Sequence, residues 1–368
     1  MASRTLGREM EEVGEAGQAA PPLVPGTRAE LGHEVVLCHD RASGLNAAIA
    51  IDDTTLGPGL GGVRWMSYPS FATAVEEACR LARVMTLKNA LADLPYGGAK
   101  AVIARDDSLP ATPARRTAQV LAFAATVARL GDLYVPGVDM GTSVADLALM
   151  ATIAPHVSCT HDDPSPATAT GVFNAIEATV RQLMERDLVG LRVAVQGAGH
   201  VGASLAARLA QSGATVFIAD VNGARAAEVA RLVGGIVVEP EKVLSLPCDV
   251  LAPCASARVL HPVSIEALSC AAVVGAANDV LADRSCDTLL ARRGIVYVPD
   301  FVTNAGGVIH IHAERAGWDG ASLDTALTAI GPRTTELLRT SASRHTTPLV
   351  VAESWASDRL GRTVTIPD

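Results

Sequence analysis

The rhythm of apolar and polar positions changes near Leu191. Before it, periods are mixed. HEVVLCHD (33–40) and LNAAIAIDD (45–53) are apolar-rich runs around the turn RASG, which predicts two strands. FATAVEEACRLARVMTLKNAL (71–91) repeats at helical spacing, with Ala74, Ala78, Leu81, Ala82 and Met85 on one face and Lys88 near its C-terminal end. Lys100 follows a glycine pair and opens the strand AVIA (101–104). Thr112-Pro113 supplies a cap and a first-turn proline for the next helix. LYVPGVD (133–139) reads as a strand ending in a loop, and SVADLALMATIAP (143–155) as a short helix. Ser165-Pro166 repeats the cap-and-proline signal at the head of a long helix to Met184, which crosses between the two halves.

Beyond Leu191, strands and helices alternate. RVAVQGAG, a helix to Gln211, ATVFIADVN, DVLAP, AAVVGAA and GIVYVPDF follow in order. Such alternation predicts a parallel, doubly wound sheet. The 368 residues are enough for two domains, with no solenoid-length repeat.

Composition narrows the function. A formal net charge of −9 without a basic stripe argues against nucleic acid or an anionic membrane as partner. Seven scattered cysteines, none in CxxC, suit a reducing cytoplasm rather than a disulfide framework or zinc knuckle. Residues 1–26 have early acidic groups and no long apolar run, so they read as a flexible tail, not a signal peptide or membrane span.

QGAGHVG places Gly197, Gly199 and Gly202 as GxGxxG between a strand and a helix. The glycines serve a tight turn, backbone approach to a pyrophosphate and close helix packing, and the helix start offers N–H groups to phosphate. The next strand ends in Asp220, suited to ribose hydroxyls and hostile to a 2′-phosphate, which favours NAD. Asn222 follows within reach of the same ligand.

LKNALADLPYGGAKAVI (87–103) raises a separate question, because lysines are almost never fully buried unless paired. A charged lysine can clamp a carboxylate. A desolvated lysine beside another cation has a lowered pKa and can shuttle protons near neutral pH. Asp139, in VPGVDMGT, offers a carboxylate for a second proton transfer.

HEVVLCHDRASGL, GPGLGGVRW, MTLKNALADLPYGGAKAVI, YVPGVDMGT, DPSPATATGV, VAVQGAGHVG, DVLAPCA and VPDFVTNAGGVI together resemble the amino-acid dehydrogenase family of leucine, valine, phenylalanine and glutamate dehydrogenases. They run in family order over residues 33–312, with the closest likeness to the valine and phenylalanine branch. The resemblance implies an α/β chain of two domains around a cleft: an N-terminal α/β substrate domain and a doubly wound Rossmann NAD-binding domain. The first would span 27–155 with a return at 345–368, and the second 156–344. The implied chemistry is reversible, NAD-dependent oxidative deamination of an L-amino acid to its 2-oxo acid and ammonium, by a cytoplasmic homo-oligomer. Carried over by motif, Lys88 binds the substrate α-carboxylate, Lys100 activates water and polarises the carbonyl, and Asp139 exchanges a proton with the amine. Gly61 and Gly62 let backbone approach the substrate. Thr168 contacts the nicotinamide, Asn278 and Asn304 surround it and the substrate, and Cys254 and Ala255 lie against the cofactor.

Substrate choice follows from a difference. Glutamate dehydrogenases carry a lysine at the position of Leu60, where it pairs with the substrate's side-chain carboxylate. Leu60 cannot, and an unpaired buried carboxylate would cost several kcal/mol. An apolar side chain is therefore expected, in a pocket of Leu60, Gly137, Val308 and Ile311. Gly137, in place of a frequent alanine, leaves room for a larger group, whereas Val308 favours aliphatic ones. Asp279 stands where relatives commonly carry an amide, and a carboxylate there would act on Lys100 or on substrate contacts. With Pro136, Val138 and Met140 it departs from the common pattern, which opens an alternative: the same chemistry on an aromatic or unusual amino acid. A catalytically silent NAD-binding protein is a third reading, opposed by the joint presence of Lys88, Lys100 and Asp139. No metal site is expected, since His310 and His312 point about 200° apart on a helix. His161-Asp162-Asp163 reads as a polar loop, with Asp163 helping the following helix start.

Overall fold

Two sheets organise the chain in the computed structural model, which describes residues 34–366; the expected tail at 1–26 lies outside the described residues. The first half contains β1 (Glu34–Asp40), β2 (Leu45–Asp53), β3 (Gly59–Met66), α1 (Phe71–Leu91), β4 (Gly97–Ala104), α2 (Pro113–Leu130), β5 (Tyr134–Val138) and α3 (Val144–Ala151). Its five strands are ordered β1-β2-β4-β3-β5, with β1, β2 and β4 antiparallel in turn and β3 parallel to β4 and β5. The period of two along the strands sorts the side chains. Ala48, Ala50 and Val102 meet Ala74, Ala78 and Ala82 of α1. Ala47, Ile49, Ile51 and Ile103 meet Phe123 and Val127 of α2 on the opposite face.

β3 has no strand signal in the sequence, because its glycines break the alternation. It is a strand because β4 and β5 flank it, close enough that only glycine fits at two positions. A Cβ on Gly61 would lie 1.6 Å from the Ala99 carbonyl oxygen, and one on Gly62 2.7 Å from that of Val138. β4 likewise begins at Gly97, three residues before the expected opening at Lys100, so Lys100 sits within the strand.

The second half runs α4 (Ser165–Met184), β6 (Arg192–Gln196), α5 (His200–Gln211), β7 (Thr215–Ala219), α6 (Gly223–Val233), β8 (Ile236–Val237), β9 (Val250–Pro253), α7 (Pro262–Ala267), β10 (Ala272–Val273), α8 (Ser285–Arg292), β11 (Val296–Tyr297), α9 (Asp300–Thr303), α10 (Gly306–Ala316), α11 (Gly320–Thr328), α12 (Ile330–Ser343) and α13 (Pro348–Leu360). Its strands are parallel in the order β11-β10-β9-β6-β7-β8, the doubly wound arrangement expected. The order reverses between β6 and β9, and that switch point is where such sheets bind ligands.

Thr112 caps α2 as its sequence signals, accepting from the Arg115 N–H at 3.3 Å. Ser165 does not cap α4. The helix begins at Ser165 itself after Pro164, and Asp163 Oδ1 accepts the Ser165 N–H at 2.9 Å. The aspartate wins because it can reach a free first-turn N–H with a full charge.

α1 joins the halves. Its early turns are buried on one face, but every residue from Val84 to Leu91 is buried. That end lies between the first sheet and the helices α9 and α13. The chain after α13 returns to the first sheet, where Arg362 pairs with Asp53 at 2.7 Å.

Candidate functional site

A cleft of about 540 Å³ opens between the two sheets, within the usual range for small-molecule sites. Strand ends and helix ends deliver its walls. β4 brings Lys100, the end of α1 brings Lys88, the loop after β5 brings Asp139, and the loop after β10 brings Asn278. Of the expected residues, Leu60, Gly61, Gly62, Lys88, Lys100, Asp139, Thr168, Asn278, Asn304, Val308 and Ile311 all line it.

Both lysines are buried, at 5 % and 4 % exposure for Lys88 and Lys100. Each has a partner. Lys100 Nζ lies 2.6 Å from Asp139 Oδ2, and Lys88 Nζ donates to Asn278 Oδ1 at 2.7 Å. Burial pushes the Lys88 ammonium down to about 8; Asp300 opposes this shift and Lys100 adds to it. Burial also lowers Lys100, against the pull of Asp139. The Asp139 carboxyl is raised by burial, yet Lys100 and Arg64 outweigh that and hold it well below the usual carboxylate range. Asp139 is therefore an anion, and it faces a lysine whose proton is loosened.

Asn304 Nδ2 donates to the Ala276 carbonyl and to Asn278 Oδ1, both at 3.0 Å. Its Oδ1 is buried with no hydrogen-bond partner among the described residues. A buried acceptor without a donor suits a ligand that carries N–H groups.

Several side chains of the site carry weak sequence signals or none. Arg64, 5 % exposed, donates to Asp139 at 3.1 Å and to Glu77 at 2.6 Å, and Tyr68 donates to the same Glu77 at 3.0 Å. An arginine inside the apolar strand GGVRWM was the available signal. Asp300 is equally hidden, and burial, with Asp279 adding to it and Lys88 opposing, pushes its carboxyl up to about 6. Asp300 lies within VPDF, and nothing in that string reveals the lysine near it.

One expectation is corrected. Gly137 does not line the cleft. The space beside it is taken by Ile311, whose Cδ1 would lie 3.2 Å from a Cβ at Gly137. Asp279, expected to act on Lys100 or on substrate contacts, is paired with Arg80 of α1, and Arg258 Nε lies 3.4 Å away. The charges acting most on Lys100 are Asp139, Arg64 and Glu77.

The glycine loop lies at the far end of this cleft, which reaches it through Thr168, His200 and Val201. Gly197 has φ +106°, and a Cβ there would meet the Ala255 Cβ at 2.6 Å. A Cβ on Gly202 would lie 1.9 Å from the Gly197 carbonyl oxygen and 3.5 Å from the Cys254 Cβ. Gly197, Gly202, Cys254 and Ala255 thus close the switch point together, behind the cleft wall. Gly199 differs, since nothing lies within 4 Å of where its Cβ would stand. It heads α5, whose first N–H groups lack acceptors within the helix. This open backbone cradle fits a dinucleotide pyrophosphate. Asp220 braces the loop, its Oδ2 accepting the Ala198 N–H at 2.7 Å and its Oδ1 the Asn222 N–H at 2.8 Å. The Asn222 side chain caps α6, accepting from the Arg225 N–H at 3.2 Å. His200 and Asp163 meet at 2.8 Å across the starts of α5 and α4. No group of three or more metal-ligating side chains stands together among the described residues.

Comparisons with known proteins agree with this geometry. Residues 32–155 match the family described as Glu/Leu/Phe/Val dehydrogenase, dimerisation domain. Residues 161–229 and 225–357 match the one described as glutamate/leucine/phenylalanine/valine dehydrogenase. An L-tryptophan dehydrogenase of Nostoc punctiforme is 39 % identical over 300 residues, 80 % of this chain and 83 % of that one. A leucine dehydrogenase of Thermoactinomyces intermedius is 38 % identical over 293 residues, 78 % and 79 % of the two chains. The crystal structure of L-tryptophan dehydrogenase from Nostoc punctiforme superposes with a TM-score of 0.75 at 33 % identity, covering 91 % of this chain and 97 % of the other.

Proposed function

The chain belongs to the glutamate/leucine/phenylalanine/valine dehydrogenase family, and from that premise we propose that it catalyses the NAD-dependent, reversible oxidative deamination of an L-amino acid with an apolar side chain. It is an oxidoreductase that works with a nicotinamide cofactor. The observation that carries the reading is the buried Lys100–Asp139 pair, 2.6 Å apart in a cleft floored by Leu60.

In this reading Lys88 Nζ clamps the α-carboxylate, and Asn278 and Asn304 Oδ1 flank the amino group. A nicotinamide held by Thr168 and the Gly197–Gly202 loop would supply the acceptor for the hydride leaving Cα. Lys100 Nζ, loosened by burial, takes the proton of a water that attacks Cα and later polarises the carbonyl oxygen. Asp139, held as an anion, passes protons to and from the departing nitrogen. In this reading NAD is favoured over NADP, because Asp220, fixed to the loop backbone after β7, would suit ribose hydroxyls and repel a 2′-phosphate.

The apolar side chain follows from Leu60, fully buried in the cleft wall. Relatives named for tryptophan and for leucine both fit an apolar pocket. In this reading Gly137 favours the larger group, because a Cβ there would crowd Ile311 Cδ1 at 3.2 Å and press it toward the pocket. We further assign 27–155 with 345–368 to the substrate-binding and oligomerisation unit and 156–344 to the dinucleotide unit. Self-association into a homo-oligomer would use the first, which matches a dimerisation domain. Seven free cysteines suit the cytoplasm, and no described helix is long and apolar enough to cross a membrane.

The test is NADH consumption with excess ammonium and a panel of branched aliphatic, straight aliphatic, phenyl-, indolyl- and carboxyl-bearing 2-oxo acids. Turnover of apolar members with NADH, and little with 2-oxoglutarate or NADPH, is expected. Preference for 2-oxoglutarate would sink the substrate assignment, and NADH binding without any turnover would revive the silent alternative. Within the panel, Gly137→Ala should push Ile311 forward and shift preference away from the bulkiest acid by about tenfold.

A further inference from the structure

Asp279 and Arg80 take no part in the chemistry above, yet they connect the two walls of the cleft. Arg80 lies on α1, two turns and about 12 Å before Lys88. Asp279 immediately follows Asn278. α1 therefore supplies donors to two consecutive residues of one loop: Arg80 to Asp279 and Lys88 to Asn278. Asp279 has φ +56°, a left-handed conformation that aspartate adopts more readily than most residues with a side chain. Arg258 grips it twice, its Nε 3.4 Å from the carboxylate and its N–H donating to the Asp279 carbonyl at 2.7 Å. Asp300 Oδ2 accepts the Val280 N–H at 3.3 Å.

The contacts continue into the first sheet. Arg80 lies 3.7 Å from Glu77, Glu77 2.6 Å from Arg64, Arg64 3.1 Å from Asp139, and Asp139 2.6 Å from Lys100. One unbroken run of alternating charge thus leads from the loop of the second sheet to the reacting pair of the first. Its members from Arg80 to Lys100 have side chains no more than 21 % exposed, so salt screens them little.

We propose that Arg80 and Asp279 are positioning residues, whose pairing across the cleft sets Asn278 against Lys88 and so fixes the carboxylate clamp in its binding geometry. The proposal rests on the role assigned to Lys88. A neutral residue at 279 would leave Arg80 without this partner on the opposite wall.

Steady-state kinetics on the full-length enzyme test it, with Asp279→Asn, Arg80→Gln, the double variant and Lys88→Ala. Each single change should raise the KM for the amino acid about fivefold or more, with kcat and NADH affinity within about twofold of the parent. The double variant should be no worse than either single, because both remove one pair. An unchanged KM in both singles overturns the proposal, as do effects that multiply in the double. If Arg80→Gln fails to fold, Arg80→Lys, which shortens the reach and keeps the charge, is read in its place. If Lys88→Ala leaves KM at the parent value, the clamp assignment itself fails; if it raises KM while the pair variants do not, only the positioning role fails.

Discussion

On the first-sheet side of the cleft, Lys88, Lys100 and Arg64 are each at most 5 % exposed, crowded around the anionic Asp139. On the second-sheet side, the Gly197–Gly199 loop offers backbone alone, braced from outside by Asp220. The first wall stores charge in a desolvated place, where Lys100 and Arg64 meet Asp139 and Lys88 meets Asn278 before a ligand arrives. The second wall stores shape, and its constraint falls on φ and on the absence of Cβ atoms. At Lys88, Lys100 and Asp139 the restriction falls on side-chain charge, and at Gly197 and Gly202 it falls on the backbone.

Substitutions that exchange one kind of constraint for the other test this contrast. Lys100→Ala should have the largest effect, cutting kcat about 10³-fold, the scale of a lost acid–base group. Single-turnover reduction of an oxo acid would measure it, and a loss under tenfold would deny Lys100 its role. Lys88→Met comes next and moves stability in the opposite direction. Burial depresses the folded-state Lys88 from 10.5 to about 8, so protonating it destabilises the fold below about pH 8, and that cost fades between about 8 and 10.5. The variant should gain on the order of 3 kcal/mol in urea unfolding at pH 7 and lose the gain by pH 10.5. A gain independent of pH would mean that packing, not charge, is responsible. Gly197→Ala should be the smallest and confined to the other wall. Its Cβ would lie 2.6 Å from that of Ala255 at φ +106°, a strain of about 1–3 kcal/mol, so NADH should bind about tenfold more weakly. Calorimetric titration reads this directly, and unchanged affinity would remove the tight turn from the account of the loop.

The same contrast explains what the sequence discloses. The glycine loop is a local device, and GxGxxG with its strand, helix and Asp220 shows nearly all of it in one stretch. Lys88, Lys100 and Asp139 were legible through motifs, and the parallel second sheet through its alternation. β3 was hidden because the glycines that let β4 and β5 close on it erase the strand pattern. The partners of the charges were hidden too. Arg64 meets Asp139 across 75 residues, and Arg80 meets Asp279 across 199. No local spacing encodes such meetings, and they fix which carboxylate is an anion and which lysine is loosened. Gly137 shows the same limit in apolar terms, since its effect depends on Ile311, 174 positions later, leaning into the gap.

The return of the chain to its first sheet has a consequence in time. Asp53 ends β2, and Arg362, which pairs with it, comes 309 residues later. Chains fold as they are synthesised, amino end first. The first sheet can assemble early, but this acidic edge meets Arg362 only after the whole second sheet has been made. Until then one wall of the cleft exists without its seam, and the enzyme's two halves are sewn together last.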